Sequence, residues 1–424
     1  MKKKYIIFSI VVLVLFVTLS VCFDKFKTTN TYIEDNSNNQ IKITEGISMN
    51  LEQTAGAGDY KTVTQSEWPT EGYKFNSELS RCENGGQLSW DDTKGVVVFS
   101  GNVSDKCYVY FDKILTLASY VISKYTGIQG ENSIYYHDST LTNGAGDNSY
   151  RYAGPSDSVN NFVCFGSTTS PCPTDNLYRI IGVINEKVKL IKYDYATSAL
   201  LGTDGDYYGY STPKADYYKG TLTSIDEYYW NYKADTTINN GRGSNTWSTS
   251  LLNKTNLNTN FLNNIGEKWA KKIAITFWKV GGNTYNSIYS VIPAIVYQKE
   301  IVSPVTTNST DNATEYKAKV GLMYLTDYEF AASQDMWTLF GYNDDATKDY
   351  RAATNNNWMY MGVTEWTISR NAANKTSTIR LSDVGDVGTK SVNSNIMVRP
   401  TFNLESSIAY VSGSGSMSDP VLIN

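Results

Sequence analysis

Few residues in this sequence have the types and spacing for catalysis. The single histidine, His137, stands in a polar stretch without an obvious partner, so neither a Ser-His-Asp triad nor a histidine metal cluster can be assembled around it. Paired carboxylates offer more. Asp327 with Glu329, or Glu365 with Asp383, could act as the acid and base of a glycosidase, although Asp327 equally suits the start of a helix. In TDGDYYGY, Asp204, Asp206 and Tyr208 alternate before Gly209 like the opening of a calcium loop. The position where that loop needs a bidentate glutamate is Ala215, so the chain is expected to hold no metal, and no cofactor.

Aromatic residues give a stronger signal for binding. Trp358, Tyr360 and Trp366 fall within NNNWMYMGVTEWTISR, and Tyr228, Tyr229 and Trp230 within DEYYWNY. Sugar rings stack their apolar faces on aromatic rings, while neighbouring Asn and Asp bond the hydroxyls, so both stretches suit recognition of a glycan. Aromatics at a period of two are also what a half-buried strand carries, and the two interpretations compete here. Trp358, Tyr360, Trp366, Tyr228 and Trp230 are the candidate ligand-binding residues. Arg399 beside Pro400 is expected in a structural ion pair.

The N-terminus sets the compartment. In MKKKYIIFSIVVLVLFVTLSVCF three lysines precede about nineteen uncharged, mostly apolar residues, long enough as helix to cross a bilayer. The lysines stay inside and the remainder is exported. A single-pass anchor at the cell membrane is the expectation. A cleaved signal and a lipoprotein are the alternatives, disfavoured by the missing small-x-small site and by Val21 ahead of Cys22. Export by any of these routes makes the four remaining cysteines disulfide candidates, and proximity favours Cys82 with Cys107 and Cys164 with Cys172 among three connectivities. Zinc is the rival, without CxxC spacing to support it. The formal net charge of −5 and the lack of a later basic run argue against nucleic acid.

The elements that must position these residues follow from periodicity. Residues 1–23 are the membrane segment and 24–65 a polar stalk. Residues 66–113 form a small β-module, with strands at GYKF, GQLSWDD, KGVVVFSG and CYVYFD and a turn at Asp91–Gly95. In SDKCYVYFDK the alternation sends Cys107, Val109 and Phe111 to the core. Residues 114–147 hold an amphipathic helix, ILTLASYVISKY, and a linker. Residues 148–424 form a larger α+β domain, with a hairpin around Asn185-Glu186, where the non-glycine Glu186 leaves room for a longer loop. Short helices with Ser or Thr caps follow from Trp247, a helix starts at Thr326-Asp327, and strands lie at IAITFW, KVGLMYL and IMVRPTF, the last placed by Pro400 at an edge or bulge. The stretch from Asp194 to Thr246 reads as a loop region outside any clear element.

The runs CENGGQLSWDDTKGVVVFSGNVSDKCYVYFDK and FVCFGSTTSPCPTDNLYRIIGVINEKVKLIKYD, with VGLMYLTDYEF, MVRPTFNLES and GSGSMSDPVLI, resemble modular surface proteins of Gram-positive gut bacteria. The larger domain is similar to an uncharacterised family whose fold is like that of C-type lectins and formylglycine-generating enzymes. The resemblance implies a lectin-like α+β domain and carries no defined activity. No cysteine follows Cys172, so oxidase chemistry is not implied, and the calcium-binding Glu-Pro-Asn or Gln-Pro-Asp and Trp-Asn-Asp of calcium-dependent lectins are missing. The expectation is a membrane-anchored extracellular protein that binds a glycan or protein ligand without catalysis. A cell-envelope glycan hydrolase and a passive spacer are the alternatives.

Overall fold

The strand Cys107–Lys113 shows the expected alternation directly, with Cys107, Val109 and Phe111 buried and the intervening side chains half-exposed. It belongs to a computed structural model that describes residues 33–34, 40–41, 46–64, 72–102, 104–155, 158–214, 217–284, 288, 291–305, 314–338 and 355–424. The chain divides into two compact units, Met1–Ile114 and Leu115–Asn424. Among the described residues the first unit holds strands, and the second mixes many strands with short helices. The expected membrane segment 1–23 lies outside the described residues. Among those described, no helix is long and apolar enough to cross a membrane.

In the first unit, Cys107–Lys113 is flanked by Ile47–Glu52, running parallel, and by Tyr73–Phe75 and Arg81–Cys82, running antiparallel. Tyr60–Val63 completes this five-stranded sheet, and a four-stranded sheet holds Gln87–Asp91 and Val96–Ser100. The expected stalk boundary at residue 65 is therefore corrected. Ile47, Met49 and Leu51 alternate as a strand does, and Met49 and Leu51 join Phe75, Val97, Phe99, Val109 and Phe111 in the core. Asp91 makes the predicted turn by accepting the amides of Thr93 and Lys94, and Gly95 closes it at φ 66°. The Cys82–Cys107 disulfide fastens this thin core.

In the second unit a seven-stranded antiparallel sheet runs in the order Ile134–His137, Ser149–Tyr152, Leu177–Ile184, Lys187–Lys192, Thr401–Asn403 and Val320–Gly321, with Phe162–Cys164 also paired to Leu177–Ile184. Leu177–Ile184 is covered on both faces, which is why its apolar run does not alternate. Gly182 is required there, because a Cβ would lie 2.1 Å from the Tyr150 carbonyl oxygen. The helix Leu117–Ser123, capped by Thr116 Oγ1 on the Ser119 amide, buries Leu117, Tyr120 and Val121 in this unit. With Ile134–His137 in the sheet, residues 115–147 belong to the larger unit and do not form a separate linker. The Cys164–Cys172 disulfide lies here.

Four further expectations are corrected. The hairpin needs no longer loop, since Ile184 pairs with Lys187 and both Asn185 (φ 50°) and Glu186 (φ 63°) adopt the left-handed conformation of a two-residue turn. Pro400 is not at an edge, because Thr401–Asn403 lies between two strands and Pro400 precedes the ladder, needing no amide of its own. The 194–246 stretch contains the helix Ser198–Leu201 and the hairpin Tyr207–Ser211 with Ile225–Tyr228. It is fastened by buried Asp206, which accepts the amides of Lys233, Leu251 and Leu252. The helix expected to start at Thr326-Asp327 spans Leu325–Phe330, with Tyr324 preceding it.

Candidate functional site

Lys187 and Lys189 share one face of their strand, being two residues apart, and both line a cleft of about 390 Å³ in the larger unit. Opposite them stands the strand Thr276–Lys279, paired with Glu315–Ala318. Its alternation turns Trp278 inward, 1% exposed, and leaves Phe277 60% exposed and Ile275 56% exposed as an apolar lip. Tyr297 and Tyr324 supply further aromatic wall. Exposed rings of this size are costly to hydrate, which makes the lip the place where a ligand face gains most by burial.

The floor is ionic. Lys189 Nζ lies 2.5 Å from Asp327 Oδ2, and Arg151 Nη1 lies 3.6 Å from Asp327 Oδ1. Arg151 also reaches Asp147 Oδ2 at 2.7 Å, an oxygen to which the Tyr297 hydroxyl donates at 2.8 Å. Burial pulls the Lys189 ammonium below the usual lysine value, opposed by the Asp327 carboxylate. Burial would raise the Asp147 carboxyl, but Arg151, Ser149 and Tyr297 override it and hold that group well below the usual carboxylate range. The Lys189 ammonium also sits 4.3 Å from the Tyr324 ring centroid and 5.5 Å from that of Trp278.

The short helix Leu325–Phe330 fixes Asp327. Buried Glu300 accepts the amides of Leu325 and Thr326 at 3.1 Å and the Thr326 hydroxyl at 2.6 Å, and Asp327 Oδ2 accepts the Tyr324 amide at 2.8 Å. The Tyr324 hydroxyl in turn accepts the Lys279 amide at 2.6 Å, tying the floor to the lip strand. A second depression, of about 490 Å³, also borders the hairpin tip. Asp147, Asn148, Tyr150, Asn185 and Glu186 line it, and Asn185 borders both.

The aromatic candidates from the sequence lie elsewhere. Trp358, Tyr360, Trp366, Tyr228 and Trp230 are all buried, at 4% exposure or less, and offer no stacking face to solvent. Their polar ends are satisfied internally: Trp358 Nε1 donates to Tyr152 O, Trp230 Nε1 to Thr367 O, Trp366 Nε1 to Tyr228 O and the Tyr360 hydroxyl to Asp383 O. They are core, and the two stretches meet through the Trp366–Tyr228 bond. Burial raises the Tyr360 hydroxyl to about 12.

The members of the two carboxylate pairs lie in different surroundings. Glu365 is held by Arg399 through two bonds of 2.7 and 2.6 Å, the structural ion pair expected for that arginine. Asp383 faces Lys214 at the surface. Glu329 is fully buried, which pushes its carboxyl well above the usual range, and it is not part of the cleft lining. His137 is not in a loop: it ends a strand, accepts the Ala145 amide on Nδ1 at 3.0 Å, and lies between Phe330 and Trp337. Asp204 Oδ1 accepts from Asn260, and Asp206 is taken up by backbone amides. Among the described residues one grouping of potential metal ligands occurs, Cys82, Asp105 and Cys107. Its sulfurs are joined to each other, and Asp105 accepts the amides of Asn84 and Gly86.

The lining residues Lys187, Lys189, Arg151, Phe277 and Tyr297 are not among the sequence-based candidates and belong to no motif along the chain. One signal was available: Lys187 and Lys189 share one face of the strand KVKLIK, and lysines there demand either solvent or a buried counter-charge. No family model, curated protein or solved structure matches this chain.

Proposed function

We propose that the chain is a non-catalytic extracellular binding protein, held at the cell membrane by its N-terminal segment, whose larger, lectin-like α+β unit binds a glycan in the cleft between Lys187–Lys189 and Thr276–Lys279. One observation carries this: exposed Phe277 and Ile275 stand at the mouth of a roughly 390 Å³ cleft with an aromatic wall and an ionic floor. Such a site offers an apolar face to a sugar ring and polar groups to its hydroxyls. Binding is favoured over hydrolysis because the floor carboxylates are engaged by Lys189, Arg151 and Tyr297 and leave no free acid and base pair. Export is supported by the lysine-plus-apolar N-terminus and by the two disulfides, which persist in oxidising surroundings.

The test is a glycan array probed with the full chain and with Phe277→Ala. Binding by the parent that is lost in Phe277→Ala, with unchanged melting, supports the proposal. Equal binding by both moves the site away from this cleft. Membrane fractionation with external protease tests the anchor: a released mature form beginning near Phe23 would overturn it.

A further inference from the structure

The cleft has an electrostatic sign opposite to that of the chain. The protein as a whole is acidic, at −5, yet the lining supplies Arg151, Lys187, Lys189 and Lys279 against Asp327 and Glu315. Pairing accounts for all but one of these cations. Arg151 is matched by Asp147, Lys189 by Asp327, and Lys279 by Glu315. Half-buried Lys187, at the hairpin tip, has no carboxylate partner among the described residues.

We infer that the cleft selects a saccharide bearing a carboxylate, a uronic-acid-type sugar whose anion meets Lys187 while its ring packs against the Phe277 lip. This rests on the glycan-binding proposal above. A single uncompensated positive charge matches a monoanion. The one guanidinium in the lining, which would grip a phosphate or carboxylate in two-point fashion, is already held by Asp147. The carboxylate would lie in a partly water-excluded cleft, where a lone charge–charge contact is screened less than at an open surface.

Oligogalacturonate and its fully methyl-esterified form share a skeleton and differ in charge, so titration calorimetry of the full chain with both separates the two proposals. The expected result is binding of the acid form that weakens with added salt, at least tenfold weaker binding of the ester, and about tenfold loss of acid binding in Lys187→Gln. Lys187 flanks an exposed turn, and Lys187→Arg, keeping the charge, should retain binding, which guards against a folding artefact. Equal binding of acid and ester, or no effect of Lys187→Gln, overturns the acidic-sugar inference and leaves glycan binding standing. Binding of neither overturns the acidic-sugar inference, and the glycan array decides the glycan proposal separately.

Discussion

Lys189 Nζ and Asp327 Oδ2, 138 residues apart in sequence, meet at 2.5 Å beneath the cleft, with both side chains almost fully buried. The pair joins the central sheet to the short helix at Leu325, and Arg151 approaches the same carboxylate. Removing one member of a buried pair leaves an uncompensated charge, which costs more than the pair contributes.

Asp327→Ala is therefore expected to lose about 3–5 kcal/mol of stability in urea unfolding, because Lys189 stays buried and the Tyr324 amide loses its acceptor. Lys189→Met should cost less, since Arg151 remains beside Asp327. The two changes should be less than additive in a double-mutant cycle. Strict additivity would show that the pair does not interact.

Trp358→Ala and Trp366→Ala should each cost roughly 3–5 kcal/mol, read as a large drop in melting temperature, because both rings are 1% exposed. Phe277→Ala, at 60% exposure, should stay within about 0.5 kcal/mol of the parent. A parent-like melting curve for either tryptophan variant would place that ring at the surface.

Protonation linked to His137 should weaken the fold in acid. Burial lowers His137 from 6.5 to about 3, with Arg151 contributing, so below pH 6.5 the unfolded chain takes up a proton that the folded chain refuses. Stability is then complete above about pH 6.5 and falls as pH drops toward 3, with a limiting slope of about 1.4 kcal/mol per pH unit. The chain has one histidine, so the difference between the parent and His137→Gln in urea unfolding between pH 7 and 5 isolates this effect, while the raised Glu329 carboxyl contributes an opposite slope to both proteins. His137→Gln should flatten the slope, and an unchanged slope would refute the assignment.

Peptide mapping without reductant should recover the Cys82–Cys107 and Cys164–Cys172 linkages. Replacing Cys82 and Cys107 together by serine should cost the first unit about 3 kcal/mol, the size expected for a loop of 25 residues. Recovery of Cys82 linked to Cys164 or Cys172 would overturn the pairing.

What the sequence determined by itself is local. The alternation in CYVYFDK, the Asp91–Gly95 turn, the apolar strands around Asn185-Glu186 and the disulfide partners all depend on neighbours within a few tens of residues. Only the tertiary structure decided which aromatics face solvent. Period-two spacing is the same for Trp358 and Tyr360 in a core as for rings on a surface, and what buries them, such as the Tyr152 carbonyl that accepts Trp358 Nε1, lies 206 residues away. The cleft floor has the same origin. Arg151, Lys189 and Asp327 carry no joint signal along the chain, and they become one ionic cluster because the sheet places Ser149–Tyr152 and Lys187–Lys192 on either side of Leu177–Ile184 while Glu300 fixes the helix that presents Asp327.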